Sequence, residues 1–323
     1  MSLAFYRQLL HRLHQEPVVL ATVTGVKGSV PREVGAKMGI CGEGRTFDTI
    51  GGGAGEAKVI RQAIAVLATG EPQSVNIDLS GAPHRETQGV CGGQMQVWLQ
   101  RWAGEEAIAI AQQIVDTLES GQSLTLVTPL NAQFPYLSPH PPTSPCGFSE
   151  TLQPPPLLLI VGAGHVGIQL AKVGDLLGFQ IAVQDDRSQW ANLDNYPQAS
   201  FILTEPIAAA ISKFANHTQL YAALVTRGYP YDIEALSTLL QRSIPCQYIG
   251  TIGSQKRVRQ VLQALADGGF SQSQLDRIYA PIGLDIGAIA PGEIAVSIGA
   301  ELVRVRRGGT GRSLSQKQRA TLL

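Results

Sequence analysis

Residues 157–167 read LLLIVGAGHVG, an apolar run that leads directly into a glycine-rich turn. The run predicts a buried strand, and Gly162, Gly164 and Gly167 have the spacing of a dinucleotide-binding fingerprint. In that fingerprint the first glycine makes the turn, the second lets a backbone approach a pyrophosphate, and the third allows close helix packing. The same glycines could serve only to pack a helix on a sheet. His165 could donate to a phosphate or cap the helix.

The sequence after this turn alternates between short apolar strands and helices. The predicted strands are 157–161, 179–184, 200–203, 220–225 and 246–249, and the predicted helices are 165–177, 205–214, 231–241, 254–267 and 291–306. Repeated alternation of this kind predicts a parallel, doubly wound sheet with helices on both faces. We therefore expect a Rossmann-like C-terminal domain over 157–307, followed by a basic tail over 308–323.

The first part of the chain has a different pattern, in which strands and helices mix without regular alternation. Predicted helices at 3–15, 54–69 and 105–119 are interspersed with strands at 17–24, 36–41, 73–79, 94–100 and 123–128. This predicts a mixed α+β domain over 1–130, so that the whole chain belongs to the α/β class. Between the domains, 131–156 is rich in proline, which cannot donate to a sheet ladder, and we expect a stiff linker there.

Composition excludes several classes of function. The 323 residues are 44% hydrophobic and 15% charged with a formal net charge of +0, which offers no basic surface for nucleic acid or an anionic membrane. No segment is apolar enough to span a bilayer, and the N-terminus predicts an amphipathic helix instead of a signal peptide. The four cysteines lack disulfide or zinc spacing, so we expect a cytoplasmic protein.

Polar residues follow three further strands of the predicted parallel sheet. Because the carboxyl ends of parallel strands meet at one crevice, these residues are candidates for ligand contacts. An acidic residue after the second strand could accept a ribose diol, and an arginine suits a phosphate or carboxylate. A glycine and serine before a helix could form a second anion cradle or a plain N-cap. The candidates are Asp185, Asp186, Thr226, Arg227, Gly253 and Ser254.

The first domain holds a second group of candidates around three consecutive glycines. Glycines at a helix start can orient their N–H groups toward an oxyanion, although a tight turn would need the same residues. Basic residues on the preceding loop and strand could reach that pocket, and an acidic residue in the first helical turn complements the helix dipole. These candidates are Arg32, Lys37, Gly51, Gly52, Gly53 and Glu56.

Cys91 lies among glycines, with Gly92 and Gly93 directly after it. A thiolate is both a nucleophile and a soft metal ligand, and small neighbours leave it accessible. We therefore take Cys91 as the candidate metal ligand, flanked by Gly92 and Gly93 as binding residues. A structural cysteine remains the alternative.

Taken together, these stretches resemble the XdhC/CoxI family of accessory proteins for molybdenum hydroxylases such as xanthine dehydrogenase. The resemblance rests on GSVPR at 28–32, GAKM at 35–38, IGGG at 50–53, VCGG at 90–93, IVGAGHV at 160–166, DDR at 185–187, APIGLDIG at 280–287 and AEL at 300–302. It extends over nearly the whole chain except the proline-rich segment.

The resemblance implies a chaperone that binds the molybdenum cofactor, protects it while a cysteine desulfurase supplies sulfide, and helps insert it into a xanthine dehydrogenase-type hydroxylase. The cofactor could carry a nucleotide. Two alternatives remain open from the residues themselves, an NAD(P)-dependent oxidoreductase and a nucleotide-sensing module. Release of a bound cofactor from a cleft also leads us to expect a homodimer.

Overall fold

The computed structural model describes residues 2–79, 92–131, 133–138 and 147–315, and the chain divides into two compact units after Pro154. The first unit mixes helices with antiparallel strands. Its elements are α1 (Leu3–Leu13), β1 (Val18–Lys27), β2 (Lys37–Ile40), β3 (Thr46–Asp48), α2 (Gly53–Thr69), β4 (Gln73–Asp78), β5 (Gln94–Trp102), α3 (Gly104–Glu119), β6 (Leu124–Thr128), β7 (Tyr136–Ser138) and β8 (Phe148–Leu152).

A five-stranded antiparallel sheet with the order β3-β2-β1-β5-β4 forms the centre of this unit. Along β5, Met95, Val97 and Leu99 are buried in one core cluster, as the period-two pattern requires. Helix α2 contributes Val59 to the same cluster and ends at Gly70, whose φ of 78° is left-handed. The sheet therefore brings the ends of β1 and β4, the start of β5 and the glycine turn before α2 into one unit.

The segment predicted as a linker over 131–156 forms strands in its described part. Strands β7 and β8 both pair antiparallel with β6 in a three-stranded sheet. Pro135 precedes β7 and Pro154 follows β8, so these prolines flank the ladders and remove no hydrogen bond from them. The expectation of a stiff, unpaired linker is therefore wrong for 136–138 and 148–152, which belong to the first unit.

The second unit alternates strands and helices. Its elements are β9 (Leu157–Val161), α4 (His165–Leu176), β10 (Gln180–Gln184), β11 (Phe201–Leu203), α5 (Ile207–Ser212), β12 (Leu220–Leu224), α6 (Tyr229–Leu240), β13 (Tyr248–Thr251), α7 (Gln255–Asp267), α8 (Gln272–Leu275), β14 (Ile278–Tyr279) and α9 (Pro291–Arg307). All strand pairs are parallel, in the order β11-β10-β9-β12-β13-β14. This confirms the doubly wound, Rossmann-like fold predicted from the sequence.

Strand β9 shows why this sheet is covered on both faces. Leu157, Leu159 and Val161 belong to one core cluster, whereas Leu158 and Ile160 belong to another. Successive side chains of a strand point to opposite faces, so a continuous apolar run fills both layers. No helix in the described ranges combines the length and apolar character that crossing a membrane requires.

Candidate functional site

A cleft of about 350 Å³ opens at the carboxyl ends of the parallel strands in the second unit. Strands β9 and β12 are neighbours there, at the point where the strand order reverses, which is where doubly wound sheets bind ligands. The lining combines apolar side chains, hydroxyls and charges. The residues are Val161, Gly162, Gln184, Asp185, Asp186, Thr204, Pro206, Ile207, Thr226, Arg227, Tyr231 and Glu234.

The three fingerprint glycines differ in the space around them. A Cβ on Gly162 would lie 2.6 Å from the carbonyl oxygen of Val225, and one on Gly167 would lie 2.4 Å from the carbonyl oxygen of Gly162. These two glycines therefore permit close backbone packing. Gly164 has an ordinary φ of −77° and nothing within 4 Å of the corresponding position. Gly164 thus leaves open space at the N-terminus of α4, where backbone N–H groups favour an anion.

His165, the first residue of α4, lies beside an aromatic and a cationic side chain. Its ring packs edge-on against Trp190 at 5.5 Å between centroids, and the guanidinium of Arg187 lies 5.6 Å from the Trp190 ring. His165 is exposed, so its ring remains accessible beside the glycine turn. This position suits contact with a ligand at the helix start.

Asp185 at the end of β10 uses its whole accepting capacity inside the protein. Its Oδ2 accepts from the backbone N–H of Ala163 at 2.9 Å and from Arg187 Nη2 at 2.8 Å. Its Oδ1 accepts from Arg187 Nε at 2.8 Å and from the Arg187 N–H at 3.1 Å. A carboxylate has about four accepting positions. The predicted role of Asp185 as an acceptor for a ribose diol therefore does not fit this arrangement.

Burial would raise the pKa of Asp185, but the hydrogen bonds from Arg187 and Ala163 outweigh that effect and lower the pKa to about 2. Asp185 is only 5% exposed, so it holds a buried negative charge at neutral pH. It links the glycine turn to the end of β10 and so fixes the shape of this side of the cleft.

Asp186 and Arg227 form a second pair, which spans the cleft from β10 to β12. Arg227 donates from Nη1 and Nη2 to the two carboxylate oxygens of Asp186 at 2.8 and 2.9 Å. The Arg227 guanidinium also lies 4.3 Å from the centre of the Tyr231 ring and donates to the Tyr231 hydroxyl. The hydrogen bonds to Asp186 raise the pKa of Arg227 further above its usual value. Both partners of this pair are partly exposed, unlike Asp185.

A buried network that the sequence analysis missed occupies the Thr226 hydroxyl. Thr226 donates to Asp232 Oδ1 at 2.5 Å and accepts from Arg257 Nη2 at 2.8 Å, while Arg257 Nε donates to Asp232 Oδ2 at 2.7 Å. Asp232 is fully buried. These contacts correct the expectation that Thr226 offers its hydroxyl to a ligand. Asp232 resembles an ordinary acidic residue in the first helical turn, so the sequence carried no signal of its burial.

Gly253 and Ser254 precede α7 in the arrangement of a plain helix cap. The Ser254 Oγ accepts from the backbone N–H of Arg257 at 3.3 Å, and Ser254 has the extended backbone of an N-cap residue. The two interpretations left open by the sequence were a cap and an anion cradle. The observed hydrogen bond is that of the cap.

In the first unit, the loop after β1 lies against two of the predicted motifs, the glycine turn at 51–53 and the glycines that follow Cys91. A Cβ on Gly28 would lie 3.1 Å from the carbonyl oxygen of Gly92, and one on Gly51 would lie 2.5 Å from Pro31 Cγ and 3.9 Å from Arg32 Cγ. The Gly92 N–H donates to the carbonyl of Leu79 and the Leu79 N–H donates to the carbonyl of Gly93, which extends the pairing of β4 and β5 to this point. Gly92, Gly93, Arg32 and Gly51 therefore lie around a single loop.

The glycine turn at 51–53 already holds a carboxylate. Glu56 Oε2 accepts from the backbone N–H of Gly52 at 3.1 Å, from that of Ile50 at 3.2 Å and from Thr49 Oγ1 at 2.6 Å. Gly52 and Gly53 have φ values of 78° and 70°. Since Glu56 accepts from these donors, the turn is organised by an internal anion. This corrects the prediction of an open oxyanion pocket for Gly52, whose N–H donates to Glu56, and for Gly51, whose N–H donates to Thr49 Oγ1.

Lys37, which was predicted to reach the glycine turn at 51–53, does not extend toward it. Its ammonium pairs with Glu150 of β8 and lies 5.8 Å from the Phe148 ring centre, and the lysine is 1% exposed. The ion pair joins the five-stranded sheet to β8, so Lys37 has a structural position. Arg32, in contrast, is exposed beside the glycine turn.

Cys91, the predicted metal ligand, lies outside the described residues, although Gly92 and Gly93 directly after it are described. Gly92 is exposed with nothing within 4 Å of its Cβ position. Among the described residues no group of three or more His, Cys, Asp and Glu side chains could hold a metal ion. The metal role of Cys91 stays a prediction.

Comparisons with known proteins match both units. A model of the XdhC Rossmann domain matches residues 158–302, and a model of the XdhC and CoxI family matches residues 11–78. The two matches together cover about two thirds of the chain, one in each unit. The chain belongs to the XdhC and CoxI family.

Individual relatives are distant but align over most of the chain. The uncharacterized protein YqeB of Escherichia coli is 27% identical over 91% of this chain, which covers 44% of YqeB, less than half of that protein. A probable xanthine dehydrogenase subunit of Bacillus subtilis is 26% identical over 91% of this chain and 94% of its own length. The molybdenum cofactor insertion chaperone PaoD of Escherichia coli is 22% identical over 89% of this chain and 83% of its own.

One solved structure shares the architecture. A crystal structure titled a xanthine dehydrogenase from Bacillus halodurans is 27% identical, with a TM-score of 0.73 over 97% of this chain and 98% of that chain. The arrangement of elements described above is thus shared along nearly the full length of both chains.

Proposed function

We propose that this chain binds the molybdenum cofactor and delivers it to a molybdenum hydroxylase of the xanthine dehydrogenase type. Relatives named as a cofactor insertion chaperone and as a probable xanthine dehydrogenase subunit support this role. The full proposal, as expected from the sequence, includes protection of the cofactor during sulfuration by a cysteine desulfurase, action as a homodimer and a cytoplasmic location.

The observation that carries the proposal is that the charged side chains of the cleft, Asp185 and Arg227, keep their charges at neutral pH. The pKa of Asp185 is lowered to about 2, and the pKa of Arg227 is raised. A general acid or base works best with a pKa near the working pH, and both groups are shifted away from it. Asp185 keeps the glycine turn in shape, and the partly exposed guanidinium of Arg227 is suited to holding an anionic ligand in place, which is what a carrier requires.

Arg227, His165 and the N-terminus of α4 at Gly164 are the groups of this cleft that we assign to an anionic part of the cofactor. The guanidinium is partly exposed and can bind a phosphate with two donors. In the first unit, Arg32, Gly92 and Cys91 are the corresponding candidates. The cofactor itself supplies the metal and sulfur chemistry, so the protein needs only to bind, orient and shield it.

The hydrogen bonds at the end of β10 disfavour the two alternative functions, in which an acidic residue of the cleft would bind the ribose of a dinucleotide. Of the two acidic residues that could accept the ribose diol, Asp185 already accepts four hydrogen bonds and Asp186 is paired with Arg227. A ribose hydroxyl would have to displace Arg187 or the backbone N–H of Ala163 from a buried carboxylate. We therefore rank NAD(P)-dependent oxidation and nucleotide sensing below the carrier role.

Anaerobic incubation with molybdenum cofactor tests the proposal. After gel filtration, molybdenum and pterin should co-elute with the protein in equal amounts. Arg227→Ala should reduce retention up to about fivefold, because a bidentate contact with this partly exposed guanidinium contributes up to about 1 kcal/mol. Arg259→Ala, which alters an exposed arginine of α7 outside the cleft, is the matched control. Tight binding of NAD with no retention of molybdenum would refute the carrier role.

Transfer and the thiol need separate assays. Loaded protein should restore activity to a cofactor-free xanthine dehydrogenase-type enzyme faster than free cofactor does. Cys91→Ala should leave the fold intact but weaken retention of the metallated cofactor, so that molybdenum and pterin are both released more quickly on dilution. Unchanged release of molybdenum from this variant would assign Cys91 a structural role and leave the rest of the proposal standing.

A further inference from the structure

The cleft of the second unit is lined by three acidic side chains, and two of them already have a cationic partner. Asp185 is paired with Arg187, and Asp186 is paired with Arg227. Glu234 lines the same cleft and is exposed, and within the described ranges its carboxylate has neither an ion pair nor a hydrogen bond. Its two oxygens can therefore accept hydrogen bonds from a ligand.

Helix α6 brings Glu234 close to the arginine of the cleft. Glu234 follows Tyr231 by three residues, so the two side chains are neighbours on one face of the helix. Tyr231 in turn packs on Arg227, whose guanidinium lies 4.3 Å from the centre of the tyrosine ring. One side of the cleft thus holds a cation and an accessible carboxylate, with Tyr231 adjacent to both.

The remaining walls suit a flat ring. Val161 lines the cleft at the end of β9, and Pro206 and Ile207 line it at the start of α5. These apolar surfaces favour contact with the faces of a heterocycle over contact with water. The volume of about 350 Å³ is near the lower limit for small-molecule sites, so we expect the cleft to hold one bicyclic ring with its first substituents.

An accessible carboxylate selects among heterocycles by the donors on their edges. A ring that carries an amino group beside a ring N–H presents two parallel donors, which match the two oxygens of one carboxylate as a guanidinium does. The 2-amino-4-oxopyrimidine ring of a pterin or a guanine has such an edge. Adenine and cytosine carry a ring nitrogen lone pair beside their amino group, so one oxygen of the carboxylate would face another acceptor.

We propose that the cleft of the second unit binds a 2-amino-4-oxopyrimidine ring and that Glu234 is the residue that determines this specificity. The two oxygens of Glu234 accept from the amino group and the ring N–H, which leaves Arg227 available to an anionic group of the same ligand. The inference rests on the proposed function, which makes the pterin of the cofactor the ring that this cleft binds. A guanine has the same edge and is the other source of such a ring.

Equilibrium dialysis of the full chain against free pterin and against lumazine tests the assignment. Lumazine carries a carbonyl oxygen where pterin carries its 2-amino group, so it would turn an acceptor toward Glu234. The wild type should bind pterin about fivefold more tightly than lumazine, as an exposed charged contact allows. Equal binding of the two probes, or binding of neither at millimolar concentration, would overturn the proposal.

Glu234→Gln separates the specificity of this contact from a general effect on the cleft. The amide of glutamine offers a donor as well as an acceptor, so this variant should bind pterin and lumazine with affinities within about twofold of each other. Because Glu234 is exposed, hydrogen exchange in β9 should stay as in the wild type. Asp194→Asn, at an exposed position outside the cleft, should keep the preference for pterin. A preference that Glu234→Gln leaves unchanged would overturn the assignment.

Guanosine and adenosine, which carry no phosphate for Arg227, identify the source of the ring. Tighter binding of guanosine than of pterin, lost in Glu234→Gln, would support the ring class with guanine as its source, whereas a preference for adenosine over guanosine would overturn that class. The retention assay with molybdenum cofactor separates this inference from the proposed function. A wild type that retains the cofactor without preferring pterin to lumazine would overturn only the assignment of the cleft. A wild type that prefers pterin but does not retain the cofactor would refute the carrier role and support the ring specificity.

Discussion

Alanine at Gly162 should destabilise the second unit, whereas alanine at Gly164 should not. Gly162 has a φ of 108°, a conformation that costs a residue with a side chain about 1–3 kcal/mol. Its Cβ would also lie 2.6 and 2.8 Å from the carbonyl oxygen and carbon of Val225. These are backbone atoms and cannot rotate away, so overpacking adds about 1–3 kcal/mol. The expected loss is therefore roughly 2–6 kcal/mol.

Gly164 differs in both respects. Its φ is −77° and its Cβ position has no neighbour within 4 Å. Alanine is a poorer N-cap than glycine, but it also restricts the unfolded chain, and the two effects nearly cancel. We expect a change within about 1 kcal/mol. The new methyl group would extend into the space where a ligand approaches the start of α4, so retention of the cofactor should fall.

Hydrogen–deuterium exchange measures both effects in the intact chain, because peptides from β9 and β12 report on the second unit alone. A loss of about 3 kcal/mol accelerates exchange of the most protected amides more than a hundredfold, since each 1.4 kcal/mol is a factor of ten. Gly164→Ala should show wild-type exchange together with reduced cofactor retention. Similar exchange rates for the two variants would refute the assignment of Gly162 to packing.

Three further predictions concern groups held by internal contacts. Glu56→Ala should lower the free energy of unfolding of the first unit by about 1–3 kcal/mol, measured by hydrogen exchange, because three donors lose their acceptor, and Glu56→Gln should lose less. If both variants lose the same free energy of unfolding, the charge of Glu56 and not its hydrogen bonds accounts for its contribution. Burial and Arg242 lower the pKa of His217 to about 4, so its contribution is present above pH 6.5 and is lost as the pH falls toward 4, by up to roughly 3 kcal/mol. His217→Gln should flatten the stability profile in this window, and an unchanged profile would contradict the assignment. Asp232→Asn should destabilise the second unit by about 3 kcal/mol by leaving Arg257 without its carboxylate, and combining it with Arg257→Gln should recover part of that loss. A double variant that is less stable than Asp232→Asn would exclude this explanation.

Periodic patterns predicted most of the elements, and short unpatterned ones were missed. The apolar run of β9 and the alternation of β5 are long enough to carry a signal. Strands β7 and β8 have three and five residues in a proline-rich stretch, too few to show a period. Their pairing with β6 depends on tertiary packing, which includes the ion pair between Lys37 and Glu150.

The glycine spacing located the cleft, but the pairing of its charges could not be predicted. Asp186 and Arg227 are 41 residues apart in the chain, and Thr226 and Arg257 are 31 apart. No local pattern connects residues at such separations, because the fold alone brings their strand ends together. The sequence therefore identified Asp185, Asp186 and Arg227 as residues of the cleft without showing that they contact one another.

The two acidic residues after β10 differ in how readily a ligand could replace them. Asp185 is 5% exposed and accepts four hydrogen bonds, so displacing it would leave a buried charge without partners, at a cost of several kcal/mol. The side chains of Asp186 and Arg227 are 51% and 35% exposed, and an exposed ion pair contributes only about 0–1 kcal/mol. An incoming phosphate can therefore exchange for Asp186 on Arg227 while Asp185 keeps the glycine turn in place. Because Asp186 can pair with Arg227 again when the ligand leaves, release of the ligand also costs little free energy. A protein that delivers its cofactor to another protein requires such a release.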